Sequence, residues 1–345
     1  MPTPGREPFV LGLVVHPRND VSESVATVTR AAARHGSPVV ARPGDAARLG
    51  DGVLAMDDQE FVERVDAVIS LGGDGTMLGA MRLMAGRQTP VLGVNHGNLG
   101  FLIEVSPAQL PAALDEMVDG RFSLEPHSCL EVDGDTGSLG PATAFNDIVL
   151  AGERPGAAVT LDLEINDVRH GYYRCDAVIA CTPTGSTAYN YAAGGPVISP
   201  AIPAIGLTPV APMSGVSRTI VLGGEETVAL RNPSEEEALR MSLDGAAVSR
   251  VGPGGHVTLR LRPNVVNVVR FDAAALGRRN RVKLSLLNLP LRPDQLLELV
   301  PEHLRERARQ EQSTRHRRRD TPAADHRNRD GAVGGGGSHL SSPDR

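Results

Sequence analysis

Hydrophobic positions in the first third of the chain follow two alternating patterns. Continuous apolar runs, typical of strands buried on both faces of a parallel sheet, alternate with stretches whose apolar residues have helical spacing. The apolar runs are residues 9–15, 65–71 and 90–94, and the helical stretches are residues 21–35, 76–84 and 107–118. This alternation predicts a doubly wound α/β domain, in which ligands bind outside the carboxyl ends of the strands.

From about residue 121 the pattern changes to short apolar runs that predict β-strands. These runs are residues 128–132, 144–150, 159–165, 172–179, 219–222, 227–230, 256–261 and 265–271. Asn166-Asp167 lies between two of them and predicts a hairpin turn, and one helix is predicted over residues 186–193. Closely spaced strands are typical of a β-sandwich, so we expect a second, β-sandwich-like domain after the α/β domain.

The pattern divides the chain into three expected parts. They are an α/β domain over residues 1–120, a β-rich domain over residues 121–290 and a C-terminal extension over residues 291–345. The extension ends in Arg-rich and Gly-rich segments with almost nothing apolar, so we expect its tail to be mostly disordered.

Composition narrows the functional classes. The 345 residues are 41% hydrophobic but only 3% aromatic, with no Trp, so a stacking platform for single-stranded nucleic acid is hard to build. The net charge of −6 gives no general attraction to polyanions. Three Cys are too few for a disulfide framework, and no apolar run approaches the roughly 18 residues of a membrane span. We expect a cytoplasmic protein that binds neither nucleic acid nor membranes.

The first candidate site is a glycine-rich turn between a buried strand and a helix. Gly72, Gly73, Asp74, Gly75 and Thr76 form this turn. Glycines let a ligand approach the backbone, and a helix N-terminus favours phosphate. A carboxylate beside phosphates binds a metal ion or takes a proton from an attacking hydroxyl, which makes Asp74 the candidate catalytic residue. The alternative is an ordinary tight turn with an Asp cap.

The second candidate site is the segment from Asp176 to Tyr189, continuing to Gly194-Gly195-Pro196, in which an apolar run leads into the hydroxyl-rich turn TPTGSTAY at residues 182–189. Its hydroxyl groups and the start of a short helix suit a polar ligand such as a nucleotide. The alternative is helix capping by Ser186 or Thr184, worth roughly 1 kcal/mol. Tyr189 and Tyr191 could supply a flat face for a base or could pack in the core.

Three further segments carry weaker signals. Asn146 and Asp147 interrupt an apolar run, and ribose hydroxyls would be suitable partners for them, although an exposed pair at a loop edge fits equally well. Residues 93–101 form another glycine-rich turn after a strand. Arg174 could contact a phosphate or could be a solvated charge at a strand end. The ten His show no spacing typical of a zinc site, so no protein metal ligands are predicted.

Taken together, these segments resemble the NAD kinase family in motif, order and separation. The GGDGT of that family matches residues 72–76, its GVN-x-G-x-LGF matches residues 93–101 and its TPTGSTAY matches residues 182–189. A later Asp-Gly matches Asp244-Gly245. The resemblance covers roughly residues 10–287. Diacylglycerol and sphingosine kinases of the same superfamily share GGDGT, so TPTGSTAY is the more specific motif.

The resemblance implies transfer of the ATP γ-phosphoryl group to the 2′-hydroxyl of the adenosine ribose of NAD, with Mg²⁺ or another divalent metal. It implies that Asp74 acts on the acceptor hydroxyl, that the 72–76 turn holds ATP, and that the β-rich domain binds NAD. The expected NAD contacts are Phe101, Asn146, Asp147, Asp176, Thr187, Ala188 and Tyr189, to which we add Arg174. It also implies small-molecule nucleotides as partners and a homodimer or homotetramer.

Three departures from the family pattern leave other functions open. Asp147 stands where the family usually has Glu, Ala177 where it has Gly, and residues 213–217 keep only part of a His-Ser-Leu-Ser stretch. A diverged member could act on another nucleotide, or could bind NAD as a regulator without catalysis. A lipid kinase of the superfamily would need an apolar cavity and a membrane-facing surface, for which the acidic chain offers no support.

Overall fold

The computed structural model describes residues 8–97, 102–135, 142–154 and 156–271. The predicted extension over residues 291–345 lies outside these ranges. The first part of the chain alternates strands with helices, as the hydrophobic pattern predicts. Its elements are β1 (Leu11–Val15), α1 (Ser22–Arg34), β2 (Val39–Ala41), α2 (Pro43–Leu49), β3 (Leu54–Ala55), α3 (Asp58–Arg64), β4 (Ala67–Gly72), α4 (Asp74–Leu83), β5 (Pro90–Asn95) and α5 (Leu110–Val118), the last preceded by a 3₁₀ turn at Pro107–Gln109.

The five strands of this part form a parallel sheet in the order β3-β2-β1-β4-β5. Two clusters of buried side chains cover the two faces of the sheet. One contains residues of α1 and α5, and the other contains residues of α3 and α4. The strand order reverses direction between β1 and β4, which creates a crevice at their carboxyl ends. The predicted doubly wound α/β fold is confirmed.

The rest of the described chain is mainly antiparallel. Its elements are β6 (Ser123–Gly134), β7 (Ala142–Ala144), β8 (Asp147–Gly152), β9 (Val159–Ile165), β10 (Val168–Cys175), β11 (Ala177–Cys181), a 3₁₀ turn (Thr184–Thr187), α6 (Tyr189–Ala192), β12 (Ala204–Val210), β13 (Ser214–Gly215), β14 (Ile220–Gly223), β15 (Val228–Arg231), β16 (Leu239–Leu243), β17 (Ala246–Val251) and β18 (His256–Arg270).

Two sheets face each other in this part. One has the order β14-β12-β11-β8-β16-β17, and the other continues from β5 through β18, β15, β9 and β10 to β13. Side chains from both sheets form one buried cluster between them. Strand β9 has a strictly alternating burial pattern, as expected for a strand with one face in that core. The predicted β-sandwich-like architecture is therefore confirmed.

Strand β18 joins the two parts. Its end pairs in parallel with β5, its start pairs antiparallel with β15, and β6 runs beside it along most of its length. The sequence predicts two runs here, over residues 256–261 and 265–271. The structure has one strand with an irregularity between Arg262 and Val266, where the register with β6 shifts.

The predicted run over residues 172–179 is instead two strands of different sheets. Cys175 pairs with Val159 in one sheet, whereas Ala177 pairs with Ala151 in the other. The break falls at Asp176, whose N–H donates to the carbonyl of Val210 at 2.9 Å. Apolar periodicity does not report such a change of sheet, because both strands are buried.

Two further features bear on the first expectations. Asn166 and Asp167 both have positive φ, at 50° and 64°, and they form the predicted hairpin turn between β9 and β10. None of the helices formed by the described residues combines the length and hydropathy that a membrane crossing requires.

Candidate active site

The first glycine-rich turn links β4 to α4. Gly73 is the N-cap of α4, and its carbonyl accepts hydrogen bonds from the N–H groups of Thr76 at 2.9 Å and Met77 at 3.1 Å. Asp74 is the first helical residue rather than the cap, so the alternative of an Asp cap is wrong. The Oδ1 atom of Asp74 accepts a hydrogen bond from the N–H of Leu102 at 3.1 Å.

The glycines of this turn have different roles. A Cβ on Gly72 would lie 2.2 Å from Oγ1 of Thr76, so glycine is required there for packing. Apart from adjacent residues and, for Gly75, the backbone of its own helix, no described atom lies within 4 Å of a Cβ built on Gly73 or on Gly75. These two positions leave space in front of the helix N-terminus, where backbone N–H groups without helical partners favour an anion.

A cleft of about 600 Å³ opens at this turn. It lies at the carboxyl ends of β1 and β4, which is the switch point of the parallel sheet. Its walls include His16 and Asn19 after β1, Arg42 after β2, and Arg82 on α4. The sequence reasoning missed these four residues, because the strand order that brings them to the turn is not encoded in any local motif.

The second turn, TPTGSTAY, packs tightly on the start of β8. The N–H of Thr182 donates to the carbonyl of Asn146 at 2.9 Å, and its hydroxyl donates to the carbonyl of Phe145 at 2.7 Å. The same hydroxyl accepts the N–H of Gly185 at 2.9 Å. A Cβ on Gly185 would lie 1.9 Å from the carbonyl oxygen of Asn146. This glycine therefore permits close packing and gives no access to a ligand.

Two polar side chains, one within this segment and one directly after it, are also used internally. The hydroxyl of Ser186 accepts the N–H of Ile198 at 2.9 Å, and the amide oxygen of Asn190 accepts the hydroxyl of Thr208 at 2.6 Å. Both Ser186 and Asn190 are fully buried. The 3₁₀ turn begins after Pro183 without a side-chain cap, so the capping alternative is wrong as well.

The end of the same segment faces outward. Thr187 and Ala188 are half-buried and Tyr189 is 44% exposed. The backbone N–H of Tyr189 hydrogen-bonds to the carboxyl group of Asp147. Tyr189 therefore lies beside Asp147, and Thr187 and Ala188 precede it in the same turn.

Asp244 connects the two turns. Its fully buried carboxylate accepts the backbone N–H groups of Phe145 at 3.2 Å, Asn146 at 2.7 Å and Asp147 at 3.3 Å. It also forms an ion pair with Arg82, which is on the helix that begins at the first turn. The Asp-Gly pair is visible in the sequence, but its partnership with Arg82, 162 residues away, is not.

Asp147 is a buried carboxyl group in an unfavourable setting. Burial raises its pKa to about 6, and the neighbouring carboxylate of Asp244 adds to the increase, while the hydrogen bond from Tyr189 opposes it. A carboxyl group that is costly to ionise in the unliganded protein would gain from hydroxyl donors of a ligand.

Arg174 and Asp176 lie away from the other predicted contacts within the chain. Asp176 precedes β11, whose register with β8 places Ala177 beside Ala151 and Cys181 beside Asp147. The length of β11, about 16 Å, therefore separates Asp176 from the Asn146-Asp147 pair. Arg174 is exposed on β10 and lines a different cleft. Phe101, a further predicted contact, lies outside the described residues.

The described residues contain no group of three or more His, Cys, Asp or Glu side chains suited to a metal ion. Mg²⁺ is commonly held by one or two carboxylates together with phosphate oxygens of a substrate. Asp74, at the start of the helix and beside the cleft, fits this mode, in which the substrate supplies most of the ligands.

Comparisons with known proteins identify the family of the chain. Residues 11–122 match the family model described as the ATP-NAD kinase N-terminal domain, and residues 145–271 match the ATP-NAD kinase C-terminal domain. The NAD kinase of Symbiobacterium thermophilum is 35% identical over 252 residues, which cover 72% of this chain and 89% of that protein. The NAD kinase of Burkholderia multivorans is 37% identical over 218 residues, covering 61% and 71% respectively. The chain belongs to the NAD kinase family.

Two solved structures share the fold. Yeast NADH kinase in complex with NADH has a TM-score of 0.73 and 23% identity, covering 84% of this chain and 91% of that one. An NAD kinase from Archaeoglobus fulgidus in complex with ATP has a TM-score of 0.63 and 23% identity, covering 80% of this chain and 99% of that one. At this identity the likeness supports the fold alone.

Proposed function

We propose that this protein is an ATP-dependent NAD kinase, which transfers the γ-phosphoryl group of ATP to the 2′-hydroxyl of the adenosine ribose of NAD and yields NADP. One observation carries the proposal. The open turn at Gly73 and Gly75 is tied through Arg82 and Asp244 to the start of β8, where Asn146 and Asp147 lie. A phosphate site and a set of groups suited to ribose hydroxyls are thus held in one rigid frame.

In this proposal ATP lies in the cleft with its phosphates against residues 72–76. Asp74 accepts the proton of the ribose 2′-hydroxyl, whose oxygen forms a bond to the γ-phosphorus while the bond to the β-phosphate oxygen breaks and ADP leaves. Arg42 and Arg82 line this cleft, and in this proposal their guanidinium groups offset phosphate charge, Arg82 while it remains paired with Asp244. Mg²⁺, held by phosphate oxygens and Asp74, would neutralise the remaining charge.

We assign the acceptor to the neighbouring edge. Asn146 and Asp147 face the ribose, and Thr187, Ala188 and Tyr189 complete the contact, with the half-exposed ring of Tyr189 available to a base. Phe101 is retained as a proposed contact. NAD is the proposed acceptor, and NADH, named for the yeast protein of the same fold, is the alternative to be measured beside it.

We propose that Arg174 and Asp176 contact NAD that is bound by another copy of the chain. Within one chain β11 separates them from Asn146 and Asp147. We therefore propose a homo-oligomer, a dimer or tetramer, in which each site takes Arg174 and Asp176 from a neighbour.

Complementation tests this arrangement. Asp74→Asn and Asp176→Asn proteins are each expected to be inactive, and chains mixed by co-expression should regain roughly a quarter of the wild-type activity in a dimer, because only mixed pairs contain an intact site. A chain that carries both substitutions and is expressed alone is the control, and it should stay inactive. Failure to regain activity, with mixed oligomers demonstrated, would place both residues in one chain's site or outside any site.

We also propose a cytoplasmic location. The support is the chemistry of the three Cys, which are free and buried within the described residues and do not form a disulfide. Expression of a tagged full chain in its source cell, followed by fractionation, would test this location.

The activity is tested by NADP formation. Purified protein is given NAD, ATP and Mg²⁺, and NADP is read with a coupled NADP-specific dehydrogenase. We expect turnover that is lost in Asp74→Asn while calorimetry still detects NAD binding. Undiminished turnover of Asp74→Asn would remove Asp74 from the reaction, and NAD binding without turnover in the wild type would favour a regulator.

A further inference from the structure

A buried arginine lies behind the candidate active site. Arg270, at the end of β18, has a side chain only 6% exposed. Its Nε pairs with Oε2 of Glu125, and its Nη1 donates to the carbonyl of Leu102 at 2.9 Å. Oε2 of Glu104 lies 3.9 Å from Nη1 of Arg270. Removing such charges from water costs several kcal/mol per ion, so this arrangement needs a reason beyond packing.

The ion pair is held in its charged form. Burial alone would raise the pKa of Glu125, but the nearby His127 and the charge of Arg270 outweigh burial and lower this pKa to about 2. Nε2 of His127 lies 3.5 Å from Oε2 of Glu125, and the imidazole is itself buried. Glu125 is therefore a carboxylate at every physiological pH, and it fixes the guanidinium in one orientation.

Leu102 links this pair to the active site. Its carbonyl accepts from Arg270 at 2.9 Å, and its N–H donates to Oδ1 of Asp74 at 3.1 Å. Both main-chain polar groups of this buried residue are therefore in use. A displacement of its carbonyl would move its N–H, and with it the carboxylate that the N–H orients.

We propose that Arg270, held by Glu125, is a positioning residue for Asp74, acting through the main chain of Leu102. The proposal rests on the proposed function, since Asp74 is the group whose orientation is measured. In this proposal the buried Arg270 acts without contact to the substrate. It fixes the direction of the Asp74 carboxylate and leaves the binding edge at Asn146 untouched.

A matched pair on the same two strands supplies the control. Arg262 on β18 lies 3.6 Å from Glu131 on β6, but the side chain of Arg262 is 58% exposed and the pair lies away from Leu102. The two arginines share strands and partner type and differ in burial and in contact with the site. Arg262→Met therefore removes a charge of the same kind without disturbing Asp74.

The test compares Arg270→Met, Arg270→Lys and Arg262→Met in the NADP assay, together with the Kd for NAD and the Tm. We expect kcat of Arg270→Met to fall about 10- to 100-fold, because small misplacements of a reacting group have effects of this size, with the Kd for NAD within twofold of the wild type. Arg270→Lys should be intermediate, since one ammonium cannot hold both Glu125 and Leu102. Arg262→Met should keep the wild-type kcat.

Several results would overturn the inference. One is an unchanged kcat in folded Arg270→Lys and Arg270→Met, and another is a parallel loss of kcat, NAD binding and Tm, which marks a purely structural role. If Arg270→Met does not fold, Glu125→Gln takes its place and should show the same separation of kcat from Kd. An inactive wild type would instead overturn the proposed function, and this inference with it.

Discussion

The turns that follow β4 and β11 look alike in the sequence but use their glycines in opposite ways. Both follow a buried strand and both precede a helix, which is α4 for the first turn and the short α6 for the second. At the first turn, Gly73 and Gly75 face open space among the described atoms, so their lack of a side chain admits a ligand. At the second turn, Gly185 lies against the backbone of Asn146, and its lack of a side chain lets these two backbone segments pack together.

The hydroxyl groups repeat this contrast. Thr182 and Ser186 of the second turn are fully buried. The hydroxyl of Thr182 hydrogen-bonds to Phe145 and Gly185, and that of Ser186 hydrogen-bonds to Ile198. Only the end of this turn, at Thr187 to Tyr189, remains for a ligand. A turn rich in Gly, Ser and Thr can thus either leave space for a ligand or pack against a neighbouring strand and hold it in place.

The largest expected effect is that of Gly185→Ala. Because the added Cβ meets a backbone carbonyl, main chain must move, and we expect a loss of about 3 kcal/mol or more in the free energy of unfolding. Gly75→Ala is the contrasting variant, since alanine within an exposed first helical turn should raise stability by up to about 1 kcal/mol. Urea denaturation measures both. Equal stabilities for the two variants would remove the distinction between an open and a closed turn.

Asp244→Asn tests the connection between the turns. Asp244 has φ of +47°, which Asn tolerates, so the substitution removes charge without straining the hairpin. It leaves Arg82 without its buried partner, and we expect a loss of about 2–4 kcal/mol with a fall in kcat. Glu237→Gln, which breaks the exposed pair with Arg154, is the control and should cost less than about 0.5 kcal/mol. A loss equal to that of the control would contradict the connection.

Asp147→Asn should separate stability from binding. The pKa of Asp147 is raised from 3.8 to about 6, so the folded protein binds this proton more tightly than the unfolded chain. The contribution of Asp147 to stability is then greatest below about pH 4 and falls as the pH rises through 6. At pH 7 we expect Asp147→Asn to be more stable by about 1–3 kcal/mol, to lose this advantage below pH 4, and to bind NAD more weakly. Denaturation across pH 3–8 measures this difference in stability. A difference that is independent of pH, or that grows as the pH falls, would contradict the prediction.

The smallest effects should distinguish neighbouring residues within the second turn. Ser186→Ala leaves the buried N–H of Ile198 without its partner and should cost about 1–2 kcal/mol, with a modest change in the KM for NAD. Thr187→Ala should change stability by less than about 0.5 kcal/mol and raise the KM for NAD. Thermal melts and kinetics of the two proteins would decide, and a reversed pattern would assign the ligand contact to Ser186.

The sequence predicts the alternating elements and both turns because each depends on local pattern. Apolar runs and glycine-rich segments are contiguous, so β4, α4 and TPTGSTAY are legible without a structure. The elements that the sequence misses are α2, α3, β2, β3, β12, β13, β16 and β17. Strand β2 is only three residues long, and β12 contains a proline that argues against a central strand.

Long-range contacts explain the rest of what the sequence does not reveal. Arg82 with Asp244, and Leu102 with Arg270, join residues more than 150 positions apart, and neither pair leaves a periodic signal. The change of sheet at Asp176 is hidden for a similar reason, because both flanking strands are apolar. The distance of Asp176 from Asp147 depends on strand register, which a local motif does not carry.

The central claim, that the open turn holds the phosphoryl donor, is tested most directly by Gly73→Ala. Gly73 has an extended backbone at φ −100° and ψ −172°, which alanine adopts readily, and the substitution at a helix N-cap should cost at most about 1 kcal/mol. The measurement is the KM for ATP in the NADP assay, beside the Kd for NAD. We predict a KM for ATP raised about tenfold or more with NAD binding unchanged, because the new Cβ enters the cleft where the phosphates lie. A wild-type KM for ATP in the folded variant would contradict the claim.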